Sequence, residues 1–409
     1  MILRGLIDTL NYILSFIGLD FWRAFWMMII PIIIDLPRTL GKTIILFADA
    51  LSRKLRPKRE LERYPSISVI VPAHNMESTI ERCIESLLEA YYPGKKEIIV
   101  IDDGSTDRTF EKMLKYRDRV KIIRRKECSG TRAVAVNTGI PFSSGELLIP
   151  FDADTFVERT ALVNIVKPFA DPKVGAVSGN VRVFNHKQNL LTKVQAYEYM
   201  TSMEIGRRYQ AIVGTLLIVP GAFGAVRREI FEGVGVYDLS LSEDFDSTLK
   251  IHKTRRKVKF ASDAVAYTIV PHTLRSWVRQ RIRWARGEIH TLIKHRNMFF
   301  KPFFKIPGLV GAPDMFFMDV VILLARAVWI LYLILSYWWI VWKVALLISI
   351  FYMFLEAVTC ITGGLLSSRK DDFRYAIYLP VISLVYRPLH DLIRLIGYLK
   401  ELCGAKAEW

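Results

Sequence analysis

An α/β domain with a parallel sheet, held between apolar segments that enter a membrane, is the fold class this sequence predicts. Three observations predict it. Apolar residues make up 52% of the 409, and they crowd towards the two ends of the chain. From residue 66 the middle alternates short apolar runs with amphipathic helical stretches, which is the pattern of βαβ units. Three of those runs end in polar tips, Ala73-His-Asn75, Asp102-Asp-Gly104 and Asp152-Ala-Asp154. In an open parallel sheet such tips share the carboxyl edge, where ligands bind.

Residues 11–34 form the first apolar block, long enough for a bilayer, which takes about 20 residues. Asp20 and Arg23 interrupt it on one helical face, where they can pair. No small-residue cleavage pattern follows, so no removable leader is expected. Residues 36–51 are amphipathic and suit either the interface or a second crossing; one crossing is the expectation. Arg53, Lys54, Arg56, Lys58, Arg59 and Arg63 come next, and a basic cluster beside a span marks the cytosolic side. The chain divides accordingly into a membrane segment and basic linker (1–63), a cytosolic domain (64–290) and a membrane-associated remainder (291–409).

Within the middle, strands are expected at 66–73, 96–102, 120–124 and 146–151, and helices at 77–91, 107–117 and 130–141. Crossover helices between them imply parallel strands with right-handed connections. No Gly-x-Gly-x-x-Gly follows the first strand, which counts against NAD or FAD. Residues 155–262 mix helices and short strands around a Gly-rich turn at 219–228. After Trp284 a basic, amphipathic run to Lys305 suggests an interfacial helix. Residues 315–361 are almost continuously apolar, and one helix of that length would reach roughly 70 Å. Two spans are therefore expected, 315–337 and 338–361. Ser367-Ser-Arg-Lys370 returns to the cytosol. The segment 375–398 is apolar but holds Arg387, His390, Asp391 and Arg394. It suits a cavity lining, a re-entrant turn or the interface.

Lys and Arg outnumber Asp and Glu by 57 to 40, a net charge of +17. That excess fits anionic lipid or a phosphorylated substrate. No Arg/aromatic nucleic-acid module accompanies it, so membrane lipids are the expected partner and nucleic acid is not. Cys83, Cys128, Cys360 and Cys403 are scattered without a Cys-x-x-Cys spacing, which argues against a zinc site or a disulfide framework.

The chemistry concentrates in four places. A carboxylate pair such as Asp152 and Asp154 at a strand tip suits a hard divalent cation, Mg2+ or Mn2+, whose other ligands are phosphate oxygens. Asp102 and Asp103 stand at a neighbouring tip. Ser242-Glu-Asp-Phe-Asp246 places acids where a helix begins, a favourable location in any protein. Gln280-Arg-Ile-Arg-Trp284 lies on an amphipathic stretch, where Arg283 can grip a diphosphate bidentately and Trp284 offers a flat face.

As an ordered set, these motifs resemble the inverting glycosyltransferases of family 2, with the GT-A fold. The likeness is closer to the membrane-integrated polysaccharide synthases (cellulose, hyaluronan, chitin and poly-N-acetylglucosamine synthases), by motif over about 66–290 and by layout beyond. The resemblance implies hexosyl or N-acetylhexosaminyl transfer from a nucleotide-sugar donor, most simply UDP-linked, to a growing polysaccharide. It implies that Asp102 or Asp103 accepts from the uracil imide N–H, with His74 beside the base where the family often has Tyr. The family's Asn-Glu is here Asn75-Met76-Glu77. Arg132 falls where the family places a cation near the donor. Asp154 matches the metal ligand, and Asp152 the contact to the donor's ribose or sugar. Asp244 corresponds to the base, with Glu243 beside it. Gln280, Arg281 and Arg283 fall on the donor side, and Trp284 faces the acceptor. Arg326, Lys343 and Glu356, costly within lipid, suit a sugar path or pairing between helices. Two alternatives remain in view: transfer of one sugar to a polyprenyl phosphate or other lipid-linked acceptor, and an inactive scaffold that keeps the fold.

Overall fold

The computed structural model describes residues 2–15, 21–53, 61–367 and 369–404. Its strands are β1 (Ile67–Ala73), β2 (Lys96–Asp103), β3 (Lys121–Arg125), β4 (Leu147–Pro150), β5 (Thr155–Val157), β6 (Val174–Val183), β7 (Gly224–Arg227) and β8 (Lys257–Thr268). They form one sheet in the order β3-β2-β1-β4-β7-β6-β8-β5. The first four pair in parallel, as the βαβ alternation predicts. Beyond them β7 runs antiparallel between β4 and β6, β8 lies parallel to β6, and β5 closes the far edge.

Burial on both faces explains the unbroken apolar runs of the central strands. Val69, Val71, Ile98, Val100, Leu147 and Ile149 point to one side, onto Ile80, Ile84 and Leu87 of the helix Ile80–Glu89. Ile70, Ile99, Ile101 and Leu148 point to the other, onto Ala133 and Val136 of the helix Arg132–Gly139. The period-2 alternation of strands thus builds two cores and leaves the strand tips free for chemistry. In register, Ala73 stands opposite Asp102, which sets the tips of β1 and β2 side by side. Gly104 then turns the chain at φ +65°, and a Cβ there would meet the Cys128 nitrogen at 2.4 Å. Only glycine lets the Asp-Asp turn pack so tightly on the following loop.

Two described helices are long and apolar enough to cross a membrane, Pro307–Ser336 and Val341–Leu366. The expected break between spans is present, but the first helix starts before 315 and the second ends after 361. The block 11–34 is described only in part: residues 16–20, including Asp20 of the expected pair with Arg23, lie outside the described residues, as do Lys54, Arg56, Lys58 and Arg59. From Phe21 to Arg53 the chain is helical almost throughout. Its last helix, Leu36–Arg53, meets Val341–Leu366 where Thr43 Oγ1 lies 3.3 Å from Thr362 Oγ1. Arg38 donates twice to the Asp314 carboxylate at 2.6 Å.

One expectation needs correction. No single interfacial helix occupies the run after Lys294. The helix Leu274–Lys294 ends there, and only the short turns Arg296–Met298 and Pro302–Phe304 follow. Pro302 disfavours helical geometry at the residue before it, and Phe300 and Lys305 adopt positive φ. The segment 375–398 ends in the helix Arg387–Leu402, which packs along Leu274–Lys294, with the Gly397 backbone against Ala285. Of the charges within the spans, Arg326 meets Asp35 at 2.5 Å and Glu356 meets Arg387 and the Tyr197 hydroxyl. These two pair between segments, whereas Lys343 lies over the ring of its neighbour Trp342 at 5.5 Å.

Candidate active site

The tips of β1 and β2 are locked together before any ligand arrives. His74 Nδ1 lies 2.9 Å from the Asp103 carbonyl oxygen. A carbonyl only accepts, so Nδ1 carries the proton, and Nε2 accepts from Asn75 Nδ2 at 3.2 Å. Asp102 is fully buried. Its Oδ1 accepts from the Ser105 backbone at 3.1 Å, and Arg124 Nε stands 3.2 Å from Oδ2. Asp103 is held by Arg125 Nε at 2.7 Å and the Ser129 hydroxyl at 2.6 Å. Both carboxylates therefore have protein partners and lie beneath the surface of the edge. The Glu77 carboxylate accepts from the Arg108 backbone at 3.1 Å, a local role in the turn that follows β2.

The centre of the site is Arg132, the first residue of its helix, where Thr131 is the N-cap. Its Nε donates to Asp152 Oδ1 at 2.6 Å, its Nη1 to Glu243 Oε1 at 3.2 Å and its Nη2 to the Gly221 carbonyl at 2.7 Å. One planar fork thus joins the β4 tip, the helix start at Glu243 and the Gly-rich turn, residues separated by as many as 111 positions. Flanking carboxylates hold the Arg132 guanidinium well above its ordinary value despite burial. Burial raises the Glu243 carboxyl above the ordinary glutamate range, with Asp244 adding to the rise.

Asp154 lies next to this group. Burial first, and the neighbouring Asp152 second, push its carboxyl up to about 6. Thr155 and Thr268 hydroxyls lie 3.3 and 3.4 Å from its Oδ1. Asp154, with the two threonine hydroxyls beside it, offers oxygen donors of the kind a hard divalent cation takes. Among the described residues no group of three ligating His, Cys, Asp or Glu side chains forms.

Asp244 sits in the first turn of the helix Glu243–Lys253. Its Oδ1 accepts from Ser242 Oγ at 3.1 Å, and its backbone carbonyl accepts from Thr248 Oγ1 at 2.6 Å. Asp246, two residues on, points the other way, buried against His295 Nε2 at 2.8 Å and Lys294 Nζ at 2.6 Å. The helix Leu274–Lys294 is seated against this turn. A Cβ on Gly287 would meet Ser242 Cβ at 2.8 Å, so only glycine permits so close an approach of this helix to the residue before Glu243.

Along that helix Gln280, Arg283 and Trp284 share a face. Arg283 is exposed and has no ion pair among the described residues, Trp284 is exposed, and Gln280 Oε1 is buried without a hydrogen-bond partner. Arg281 departs from the donor-side expectation: it is wholly buried and pairs with Glu198 Oε2 at 2.7 Å, because its position on the helix faces inward. Two further ionisable groups, Tyr199 and Arg207, lie buried within electrostatic reach of these carboxylates. The Tyr199 hydroxyl, raised by burial to about 12, senses Arg281, Glu198 and Asp154. Arg207, lowered by burial to about 10, senses Asp244 and Tyr199. Neither stands in a motif: Tyr199 lies in the α-helix Leu190–Thr201 and Arg207 closes the π-helical stretch Ser202–Arg207 that follows it.

A family model described as Glycosyl transferase family 2 matches residues 68–235. A probable glycosyltransferase YdaM of Bacillus subtilis is 32% identical over 254 residues, 60% of this chain and 60% of that protein. The poly-beta-1,6-N-acetyl-D-glucosamine synthase of Staphylococcus epidermidis is 30% identical over 275 residues, 66% of each. The chain thus matches 60% and 66% of the lengths of these two relatives. Among solved structures, a mannosyltransferase from Pyrobaculum calidifontis in complex with GDP-Man and Mn2+ superposes with a TM-score of 0.60 at 21% identity. The match covers 91% of this chain and 97% of that one, and it shows the GT-A-like fold.

Proposed function

Since the chain belongs to glycosyltransferase family 2, we propose that it transfers a sugar, with inversion, from a UDP-linked donor to a growing polysaccharide at the cytosolic face of a membrane. The observation that carries this reading is Arg132, which holds a donor-side carboxylate, Asp152, and an acceptor-side carboxylate, Glu243, on one guanidinium. Two half-sites from distant parts of the chain thereby meet at one point.

In the reaction the acceptor hydroxyl oxygen attacks the anomeric carbon, the bond to the nucleoside diphosphate breaks, and Asp244 takes the hydroxyl proton. Ser242 and the helix start orient that carboxylate. Asp154 would hold Mg2+ or Mn2+, which when bound neutralises charge on the leaving diphosphate. Arg283 grips the diphosphate, Gln280 orients the same group, and Trp284 supports the acceptor sugar. His74 stands at the edge where the nucleobase would lie, with Asp102 and Asp103 buried beneath it and bracing that edge. Residues 64–290 form the catalytic domain, on the cytosolic side of the two span-length helices. UDP-N-acetylglucosamine is the first donor to try, because that relative is a synthase of poly-N-acetylglucosamine.

A second reading, transfer of one sugar to a polyprenyl phosphate or other lipid, is favoured by a specific observation. Only two helices among the described residues are long and apolar enough to cross the membrane, little material for a polymer path within one chain. Membranes containing the protein, offered radiolabelled UDP- and GDP-sugars, separate the two by product size. A long, linkage-digestible polymer supports the first reading and a single-sugar lipid the second. Absence of transfer and hydrolysis with every donor would leave the inactive scaffold.

A further inference from the structure

Arg281 is adjacent to Gln280 yet has no part in a solvent-facing clamp: its side chain is 0% exposed. Its Nη2 donates to Glu198 Oε2 at 2.7 Å. Its guanidinium carbon lies 4.2 Å from the centroid of the Trp284 ring, well within cation–π range. Its Nε and Nη1 find no hydrogen-bond partner. A buried guanidinium with donors unmatched is costly unless its charge is compensated, and the compensation here comes from Glu198 and the indole face. Glu198 is itself held in place. The Tyr386 hydroxyl donates to the same Oε2, Trp277 Nε1 donates to that hydroxyl oxygen at 3.1 Å, and the His390 ring stacks on Tyr386 at 6.1 Å between centroids.

Three segments far apart in sequence therefore converge on one carboxylate: Leu190–Thr201 supplies Glu198, Leu274–Lys294 supplies Arg281, and the membrane-side run after Leu366 supplies Tyr386. The outcome of this convergence is the orientation of one exposed ring. With one face on the guanidinium, Trp284 is 42% exposed and keeps surface for a sugar.

We propose that Glu198 is a positioning residue for the acceptor: by holding Arg281 against Trp284 it fixes the plane on which the acceptor sugar rests. The inference rests on the reading of Trp284 as the acceptor platform. It assigns Glu198 no contact with the donor, so its loss acts on acceptor use alone.

The test uses the full chain in lipid nanodiscs, with UDP-N-acetylglucosamine as donor and a soluble β-1,6-linked N-acetylglucosamine oligosaccharide as added acceptor. Glu198→Gln should raise the acceptor KM by roughly 10-fold, the scale of one charge-assisted hydrogen bond, while the donor KM stays within about two-fold. Tyr386→Phe, which removes one of the bonds to Glu198 but not the charge, should raise the acceptor KM by a smaller factor in the same direction. In a Trp284→Ala background, Glu198→Gln should add less than about two-fold, because residues acting as one unit are not additive. Donor and acceptor KM rising together, a fall in kcat alone, or full additivity with Trp284→Ala would each overturn the proposal. If Glu198→Gln does not yield folded protein, Tyr386→Phe alone and with Trp284→Ala decides by the same criteria. If Trp284→Ala leaves the acceptor KM unchanged, the platform reading itself fails. If it raises that KM and neither Glu198→Gln nor Tyr386→Phe does, only this inference fails.

Discussion

Replacing Arg132 by lysine keeps a positive charge at the centre of the site and removes its shape. The guanidinium reaches three acceptors at once, Asp152 at 2.6 Å, Glu243 at 3.2 Å and the Gly221 carbonyl at 2.7 Å. An ammonium on a shorter fork-free stem cannot match those directions together. Losing one hydrogen bond to a charged partner costs about 1.5–3 kcal/mol, which is roughly a 10- to 150-fold fall in kcat/KM. Arg132→Gln should fall further and lower thermal stability, since Asp152 and Glu243 then lose their shared counter-charge. Release of nucleoside diphosphate, followed at varied donor concentration, gives kcat/KM, and thermal unfolding gives the stability change. If Arg132→Lys keeps kcat/KM within about three-fold of the native protein, the fork does not organise the site and the reasoning fails.

Further outcomes follow from individual groups. Asp244→Asn keeps the Ser242 contact and removes the base, so transfer should drop by about 10²–10⁴-fold with donor affinity nearly unchanged; Glu243→Gln should be milder, and loss of donor binding in Asp244→Asn would refute the role. Asp154→Ala should abolish transfer, and a chelator should do so reversibly in the native protein, whereas full activity in excess chelator would remove the metal. His252 is buried, donates from Nε2 to the Leu216 carbonyl at 2.7 Å, and is lowered by burial to about 4. The unfolded chain takes up its proton first on acidification, so stability should fall as pH drops from about 6.5 to about 4, by roughly 2 kcal/mol at pH 5. His252→Gln should flatten that slope in thermal unfolding, and an unchanged slope would exclude His252 as its source.

The parallel half of the sheet was legible because β1, β2 and β4 carry apolar runs buried on both faces and polar tips at their ends. β6 and β8 lack the first. Ser178, Asn180 and Arg182 are buried within β6, where Arg182 is satisfied by Glu204 at 2.7 Å and Asp372 at 3.1 Å, partners that sequence order does not reveal. The site divides the same way. Acids at strand tips and helix starts announce themselves by local spacing. The inward turn of Arg281 does not, because its distinction from Arg283 lies in Glu198, 83 residues earlier. Helical period alone separates the two arginines by two residues and cannot say which side is covered.

The close seat of Leu274–Lys294 has a practical consequence for anyone seeking a water-soluble enzyme. One flank of this helix rests on Ser242 through Gly287, and another is covered by Arg387–Leu402, where Arg286 meets Glu401 at 2.9 Å and Arg394 reaches Glu288 at 3.4 Å. A fragment ending soon after Lys294 would strip that cover and expose Ala285 and Ile289, which pack with Tyr398. The helix carrying the Gln280–Trp284 stretch would then lose one of the two surfaces that hold it. Detergents that loosen the C-terminal helices should act in the same manner, so lipid composition becomes a variable of turnover as well as of solubility.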